Sequence, residues 1–362
     1  MLAMLPWSLP AALMLGGGLM PVGAINPALI PAGLETQVVA PAGPGNSRNT
    51  EGSIIELSDG RLLLAYTRFY GGGEDESAAD IVGRYSGNLG RTWGEAFVLQ
   101  ANDAQQNVMS VSLLRLPTGE LLLGYLRKNS LVDCTFVVRQ QQGLATAFGP
   151  ETLVTAPTSY FVVNNDRLLR LSTGRLVVPA ADHRGAPQNW AGIGVCFVSD
   201  DNGATWRRGE ELRCDGAAGL QEPGVVELRD GRLLMIIRCS LGAVYKSYST
   251  DGGLTWSPPV TTGLAAPVAP ATIKRIPSTG DLLLIWNHSP DRRVPLSAAI
   301  SRDDGETWEH IRDLEPEGRS FAYTSICFVD EVVILSYWSE DAAGLSLKVA
   351  RAPVRWFYGE TA

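Results

Sequence analysis

The chain has 362 residues, of which 45% are apolar and 19% charged, a balance that fits a folded globular protein and excludes a disordered one. Its 30 basic and 38 acidic side chains leave a net charge of -8, and no run of Lys and Arg builds a broad basic face for nucleic acid. A few focused arginines still suffice to hold a single anionic sugar.

Residues 1–24, "MLAMLPWSLPAALMLGGGLMPVGA", carry no charged side chain and end in a small-residue "VGA". This is the pattern of an export signal without its usual basic start, with a misassigned start codon as the alternative. It leads us to expect a secreted or periplasmic protein. Residues 25–44 are a lead-in, 45–356 a single domain, and 357–362 a tail. No other stretch approaches the roughly 18 uninterrupted apolar residues of a membrane span. The cysteines Cys134, Cys196, Cys214, Cys239 and Cys327 are odd in number and scattered, which predicts small core residues rather than a disulfide framework or metal site.

Along the chain, "LSDGRLLLAY", "LPTGELLLGY", "LSTGRLVVPA", "LRDGRLLMII" and "IPSTGDLLLIW" each set a glycine turn before an apolar run. The turn glycines Gly60, Gly119, Gly174, Gly231 and Gly280 are 49 to 59 residues apart, and "FVDEVVILSYW" is a sixth version without the glycine. Each reads as a hairpin feeding a buried strand. A second repeat interleaves with them: "SGNLGRTW" from Ser86, "SDDNGATW" from Ser199, "STDGGLTW" from Ser249 and "SRDDGETW" from Ser301. Their intervals are 113, 50 and 52 residues, so the first gap holds a decayed copy, which "RQQQGLATAF" supplies with Gly143, Thr146 and Phe148. In this turn Asp303 is expected to cap backbone N–H groups, Gly305 to take a positive φ, and Trp308 to anchor the hairpin in the core. Six units of about 50 residues predict an all-β fold, a six-bladed β-propeller with four-stranded antiparallel blades. The segment "LSLKVARAPVRWF" is expected to close the ring with the chain after residue 35.

The "S-x-D-x-G-x-T-W" turn resembles the Asp-box of the sialidase (neuraminidase) superfamily of six-bladed propellers. The resemblance implies three arginines around a sugar carboxylate, since planar guanidinium groups pair with it bidentately. It also implies a Tyr nucleophile, which an anionic substrate does not repel, with a Glu to accept the phenolic proton. An Asp protonates the leaving group and later activates water.

In "QEPGVVELRDGRLLMIIRCS", Glu222 matches the base and Arg238 the second arginine. In "RRVPLSAAISRDDGETW", Arg293 matches the third, with Arg292 as the alternative, and "GRSFAYTSICFVD" places Tyr323 as nucleophile. The first unit departs from the pattern. Its "SRNTEGSIIELSDG" sets Thr50 and Glu51 where an arginine is expected, with Arg48 beside them. Glu51 there suits a sugar hydroxyl or amine. The glycine-rich loop "RFYGGGEDESAAD" offers Asp75 as acid/base, with Glu74 as the alternative, and Arg68 ends the preceding strand. "YFVVNNDRLLRL" places Asn164, Asn165, Asp166 and Arg167 at the position that Glu222 holds before its own hairpin. By that analogy Asn165 faces the mouth and Arg167 replaces the missing arginine; His183 lines the pocket or the surface.

The implied function is an exo-glycosidase, a monomer that removes a terminal sialic-acid-like sugar from glycans with retention and without cofactor or metal. Two alternatives stand beside it: a propeller glycosidase for another acidic or neutral glycan, and a non-catalytic glycan-binding propeller. With 3 histidines, none suitably neighboured, a His-based triad or zinc site is not expected.

Overall fold

The computed structural model describes residues 26–143 and 147–360. The expected export segment 1–24 and Thr146 of the decayed turn lie outside the described residues. Among the described residues the chain is all-β: 25 strands, one 3-10 turn and one short helix, Val354–Phe357.

Successive hairpins build antiparallel sheets in chain order. Three are four-stranded blades, opening with the strands Asn107–Arg115, Gln221–Glu227 and Thr272–Arg275. A fourth has its first strand broken into Phe161–Val162 and Leu169–Arg170, both pairing with Leu176–Asp182. The other eight strands form one sheet, in which the ladder opened by Arg48–Glu56 meets the ladder Phe321–Val329, Val332–Glu340 and Leu345–Pro353. The two ladders join through a parallel pairing of Arg48 with Leu345. Separate blades among the described residues therefore number four rather than the expected six. The reason is where the chain closes: Glu35–Ala40 runs antiparallel to Leu345–Pro353, which draws the first and last ladders together.

Central strands are apolar on both faces because each sheet lies between two others. Leu282, Leu283, Leu284 and Ile285 are all fully buried. Leu282 and Leu284 pack with Val226 and Ile236 of one neighbouring sheet, whereas Leu283 and Ile285 pack with Val333 and Leu335 of the other. Fully burying one such side chain stabilises by about 1.5–3 kcal/mol. All five cysteines are buried and free.

The Ser-Asp-Gly-Thr-Trp turns organise the outer edges as their residues predict. Asp303 accepts from the Thr307 N–H (2.9 Å) and the Thr307 hydroxyl (2.6 Å), while Ser301 Oγ accepts from the Gly305 N–H (2.7 Å). Gly305 sits at φ 90°, and a Cβ there would lie 2.6 Å from Leu234 of the next sheet, so both backbone and space require glycine. Trp308 packs into the same core as Leu234. In the first copy Asn88 accepts from the Thr92 N–H (2.9 Å) but donates its amide to the Thr92 hydroxyl (2.9 Å), preserving the turn without a carboxylate.

At the centre, where the first strands of the sheets converge, the break between Phe161–Val162 and Leu169–Arg170 inserts four polar residues, Asn164 to Arg167, of which the last three reach out to the other sheets. The Asn165 amide donates to Gly52 O (2.6 Å) and Tyr323 O (3.2 Å). Asp166 accepts from Ser53 Oγ (3.1 Å) and the Ile326 N–H (3.0 Å) and pairs with Lys274 (2.7 Å). Its own N–H reaches Val111 O (3.1 Å). Arg167 donates to Pro223 O (3.1 Å) and Ala271 O (2.7 Å). Residues 165–167 thus bond to the first strand, or its immediate approach, in every other ladder. Removing a partner from a buried charged network costs about 3 kcal/mol. The Asp166→Ala variant is expected to lose about that much in urea unfolding, whereas a loss under about 1 kcal/mol would show the centre to be held by apolar packing instead.

Candidate active site

Four first strands share one irregularity. Their pairing registers slip between Thr50 and Ser53, Met109 and Ser112, Gln221 and Gly224, and Ala322 and Ser325. Inside each slip one non-glycine residue has a left-handed backbone: Glu51 (φ 57°), Ser110 (φ 57°), Glu222 (φ 37°) and Tyr323 (φ 59°). Such bulges re-aim side chains, and a strained φ persists only where the surroundings over-determine it. All four side chains line one cavity of about 360 Å³.

On one side of this cavity the Tyr323 hydroxyl donates to Glu222 Oε1 at 2.8 Å. Arg238 pairs with the other oxygen, Oε2. Burial, and after it the Glu222 charge, raise the phenol above its ordinary pKa, so Tyr323 is un-ionised near neutral pH and its proton points at Glu222. Arg293 lies with its guanidinium 5.9 Å from the Tyr323 ring centre and 5.8 Å from that of Trp338, and donates to Val268 O at 3.1 Å. Arg292 is exposed and does not line the cavity, whereas Arg293 does.

Opposite, Arg48 reaches back along its strand. Its Nη2 meets Glu51 at 2.8 Å and its Nη1 meets Asp75 at 2.5 Å. Ser110 Oγ donates to the second Glu51 oxygen at 3.0 Å. Burial raises Glu51 above the usual carboxylate range, and Arg48 offsets only part of that. Partial desolvation by the surrounding atoms pushes Asp75 upward although its side chain is 61% exposed, and Arg48 beside it outweighs this and holds the carboxyl below its ordinary value. Asp75 lines the cavity and Glu74 does not.

Three expectations require correction. Arg68 pairs with Asp80 at 3.4 Å and is not among the cavity-lining residues, since the hairpin partner strand directs it elsewhere. Arg167 is wholly committed beneath the site to the carbonyls of Pro223, Ala271 and Asn165, so it does not stand in for a mouth arginine. Asn165 holds the backbone of Gly52 and Tyr323 from below and does not line the cavity. The blade analogy placed them at the mouth, but this first strand is broken and the segment turns inward to the centre. Arg48, in contrast, reaches the site despite its offset in sequence.

His183 lines the cavity; its Nδ1 is 2.9 Å from Trp190 O, and burial lowers its pKa. Several lining residues escaped sequence reasoning: Ser110, Tyr160, Trp190 and Trp338. A signal for Ser110 was present, because Glu51, Ser110 and Glu222 each stand nine residues before their turn glycines Gly60, Gly119 and Gly231. Among the described residues no group of three or more His, Cys, Asp or Glu side chains is placed to hold a metal ion. No helix among them is long and apolar enough to cross a membrane.

The chain and its fold are similar to known proteins. Residues 60–334 match the family model described as the BNR repeat-like domain. A sialidase of Micromonospora viridifaciens is 31% identical over 176 residues, which are 46% of this chain and 26% of that protein, so the likeness spans about a quarter of that relative. Among solved structures, a protein of unknown function from Dyadobacter fermentans superposes with TM-score 0.75 at 17% identity, covering 89% of this chain and 100% of that one. A Hadza microbial sialidase gives TM-score 0.75 at 17% identity over 88% of this chain and 68% of that one. The intramolecular trans-sialidase of Ruminococcus gnavus gives 0.72 at 14% identity over 89% and 98%. At these identities the structural likeness establishes the propeller fold alone. With the family model matching well over half its length, this chain belongs to the BNR repeat-like domain family.

Proposed function

We propose that the protein is an exo-glycosidase of sialidase type that removes a terminal sialic-acid-like sugar with retention, by way of a Tyr323 nucleophile. The observation that carries this reading is the Tyr323–Glu222 hydrogen bond of 2.8 Å at two facing bulges, with Arg238 on the far oxygen of Glu222. In this reading the phenolic oxygen attacks the anomeric carbon as its proton passes to Glu222. The bond to the leaving oxygen breaks, and Asp75 supplies the proton that oxygen needs. Water then attacks the same carbon, giving its proton to Asp75, while Glu222 returns the phenolic proton. Arg48, Arg238 and Arg293 surround the sugar carboxylate.

We read the eight-stranded sheet as two blades joined at Arg48 and Leu345, giving six around one mouth, and the Ser-Asp-Gly-Thr-Trp turns as Asp-boxes. The propeller then spans about residues 45–356, and the uncharged start of the chain fits an exported enzyme.

One observation favours a second reading, a glycosidase for a different sugar. Three carboxylates, Glu51, Asp75 and Glu222, already pair with two of the three arginines, which suits a substrate with less negative charge.

Hydrolysis of a fluorogenic sialoside separates these readings. The parent is expected to be active and Tyr323→Phe to lose about a thousandfold or more in kcat, about 4 kcal/mol of barrier. An inactive parent that cleaves other aryl glycosides in a Tyr323-dependent way selects the second reading, and activity that survives Tyr323→Phe removes the nucleophile. The phenol can also be followed directly. In alkaline difference spectra Tyr323 is expected to stay un-ionised well past the ordinary phenol range of about 10. Glu222→Gln is expected to move it down towards that range; an unchanged titration would break the electrostatic pairing.

A further inference from the structure

Arg48 has two acidic partners that are held very differently. The Glu51 side chain is 1% exposed and bonded a second time by Ser110. The Asp75 side chain is 61% exposed, on the loop that follows three consecutive glycines. The backbone beneath Asp75 is nevertheless anchored. Asn107 Nδ2 and Lys128 Nζ both donate to the Asp75 carbonyl, at 2.8 and 3.1 Å, and Asn107 also holds Ser77 O at 2.9 Å. The carboxylate can therefore swing away from Arg48 while its backbone stays in place, and Glu51 cannot. An anion arriving at Arg48 displaces the exposed partner and keeps the buried one.

Resting on the sialoside reading above, we propose that Arg48 is a two-position partner: it holds Asp75 until a sugar carboxylate takes that place, and the released Asp75 then takes up the proton it delivers to the leaving oxygen. Recognition of the substrate's carboxylate and arming of the acid become one event. The balance is simple. One proton passes from solvent to the Asp75 carboxylate on binding and moves to the glycosidic oxygen as its bond to the anomeric carbon breaks. Meanwhile the Tyr323–carbon bond forms, and the phenolic proton rests on Glu222. Glu51 fixes Arg48 throughout, which gives this unexpected acid a positioning role.

The groups facing Asp75 are Arg48 and Glu51 from one strand, Lys128 and Arg238 from two others, Tyr160 across the cavity, the buried Cys134 thiol and Glu76 on its own loop. Loss of Arg48 removes the strongest force favouring its charged form, so the bound state holds more protons than the separate partners between the two pKa values. Binding of an anionic sugar thus takes up a proton and tightens as pH falls, by up to about tenfold per pH unit.

The test is calorimetric binding of the 2,3-dehydro analogue of sialic acid to the full chain at about pH 4, within the ordinary carboxylate range, and at about pH 6, in buffers of different ionisation enthalpy. The parent is expected to take up a measurable fraction of a proton at about pH 4 and almost none at about pH 6; Asp75→Asn takes up almost none at either, and Glu51→Gln keeps the uptake. No uptake in the parent, or undiminished uptake in Asp75→Asn, overturns the exchange while leaving the sialoside reading in place. Absence of any binding removes the sialoside reading and the exchange together.

Discussion

The hydrogen bonds that radiate from Asn165, Asp166 and Arg167 are the constraint on which the rest of the molecule depends. Sheets arranged round a centre leave their first strands with backbone groups that no ladder satisfies, and an unpaired buried group costs about 1–3 kcal/mol. Here one broken strand supplies the missing partners for all the others, including Gly52 O and Tyr323 O. Those two carbonyls lie in or next to the bulges that present Glu51 and Tyr323. The positive φ of these residues, unfavourable alone, is therefore fixed from beneath. Even the burial of Arg167, which lowers its pKa, fits this role, because its donors meet oxygens of Pro223, Ala271 and, on its own segment, Asn165.

Above that floor, exposure divides the charged groups by task. Glu222, clasped by Arg238 and Tyr323, is fixed in geometry. Glu51 is equally fixed and anchors Arg48. Asp75 is the acid with room to move, and of the three cavity arginines Arg293 is the one whose hydrogen-bond partner is a carbonyl, Val268 O, rather than a carboxylate. In the exchange proposed above, pairing immobile with mobile groups in this way would let an anion enter without uncovering a buried charge, which is far more costly than releasing an exposed one.

Much of this was legible in the residues. The spacing of the glycine turns and of the Ser-Asp-Gly-Thr-Trp turns marks repeated hairpins because each turn needs particular backbone geometry and local hydrogen bonds. Glu222, Arg238, Arg293 and Tyr323 all line one cavity, as their order along the chain implied. The failures have one physical source, which is that strand breaks and bulges obey tertiary packing rather than local pattern. The repeat analogy put Arg167 at the mouth, but its strand turns to the centre. Arg48 looked displaced, yet a long side chain spans the offset and reaches Asp75. Ser110 carries no chemical signature at all, and its distance from Gly119 was its one marker.

The central claim is that Tyr323, held by its bulge against Glu222, forms a bond to the anomeric carbon. The most direct measurement is mass spectrometry of the full chain after exposure to a sialic acid carrying fluorine at C2, as leaving group, and at C3, to slow turnover. The account predicts one sugar attached per chain, on the peptide that contains Tyr323, released again over time. A chain that stays unlabelled, or a label on any other residue, would contradict it.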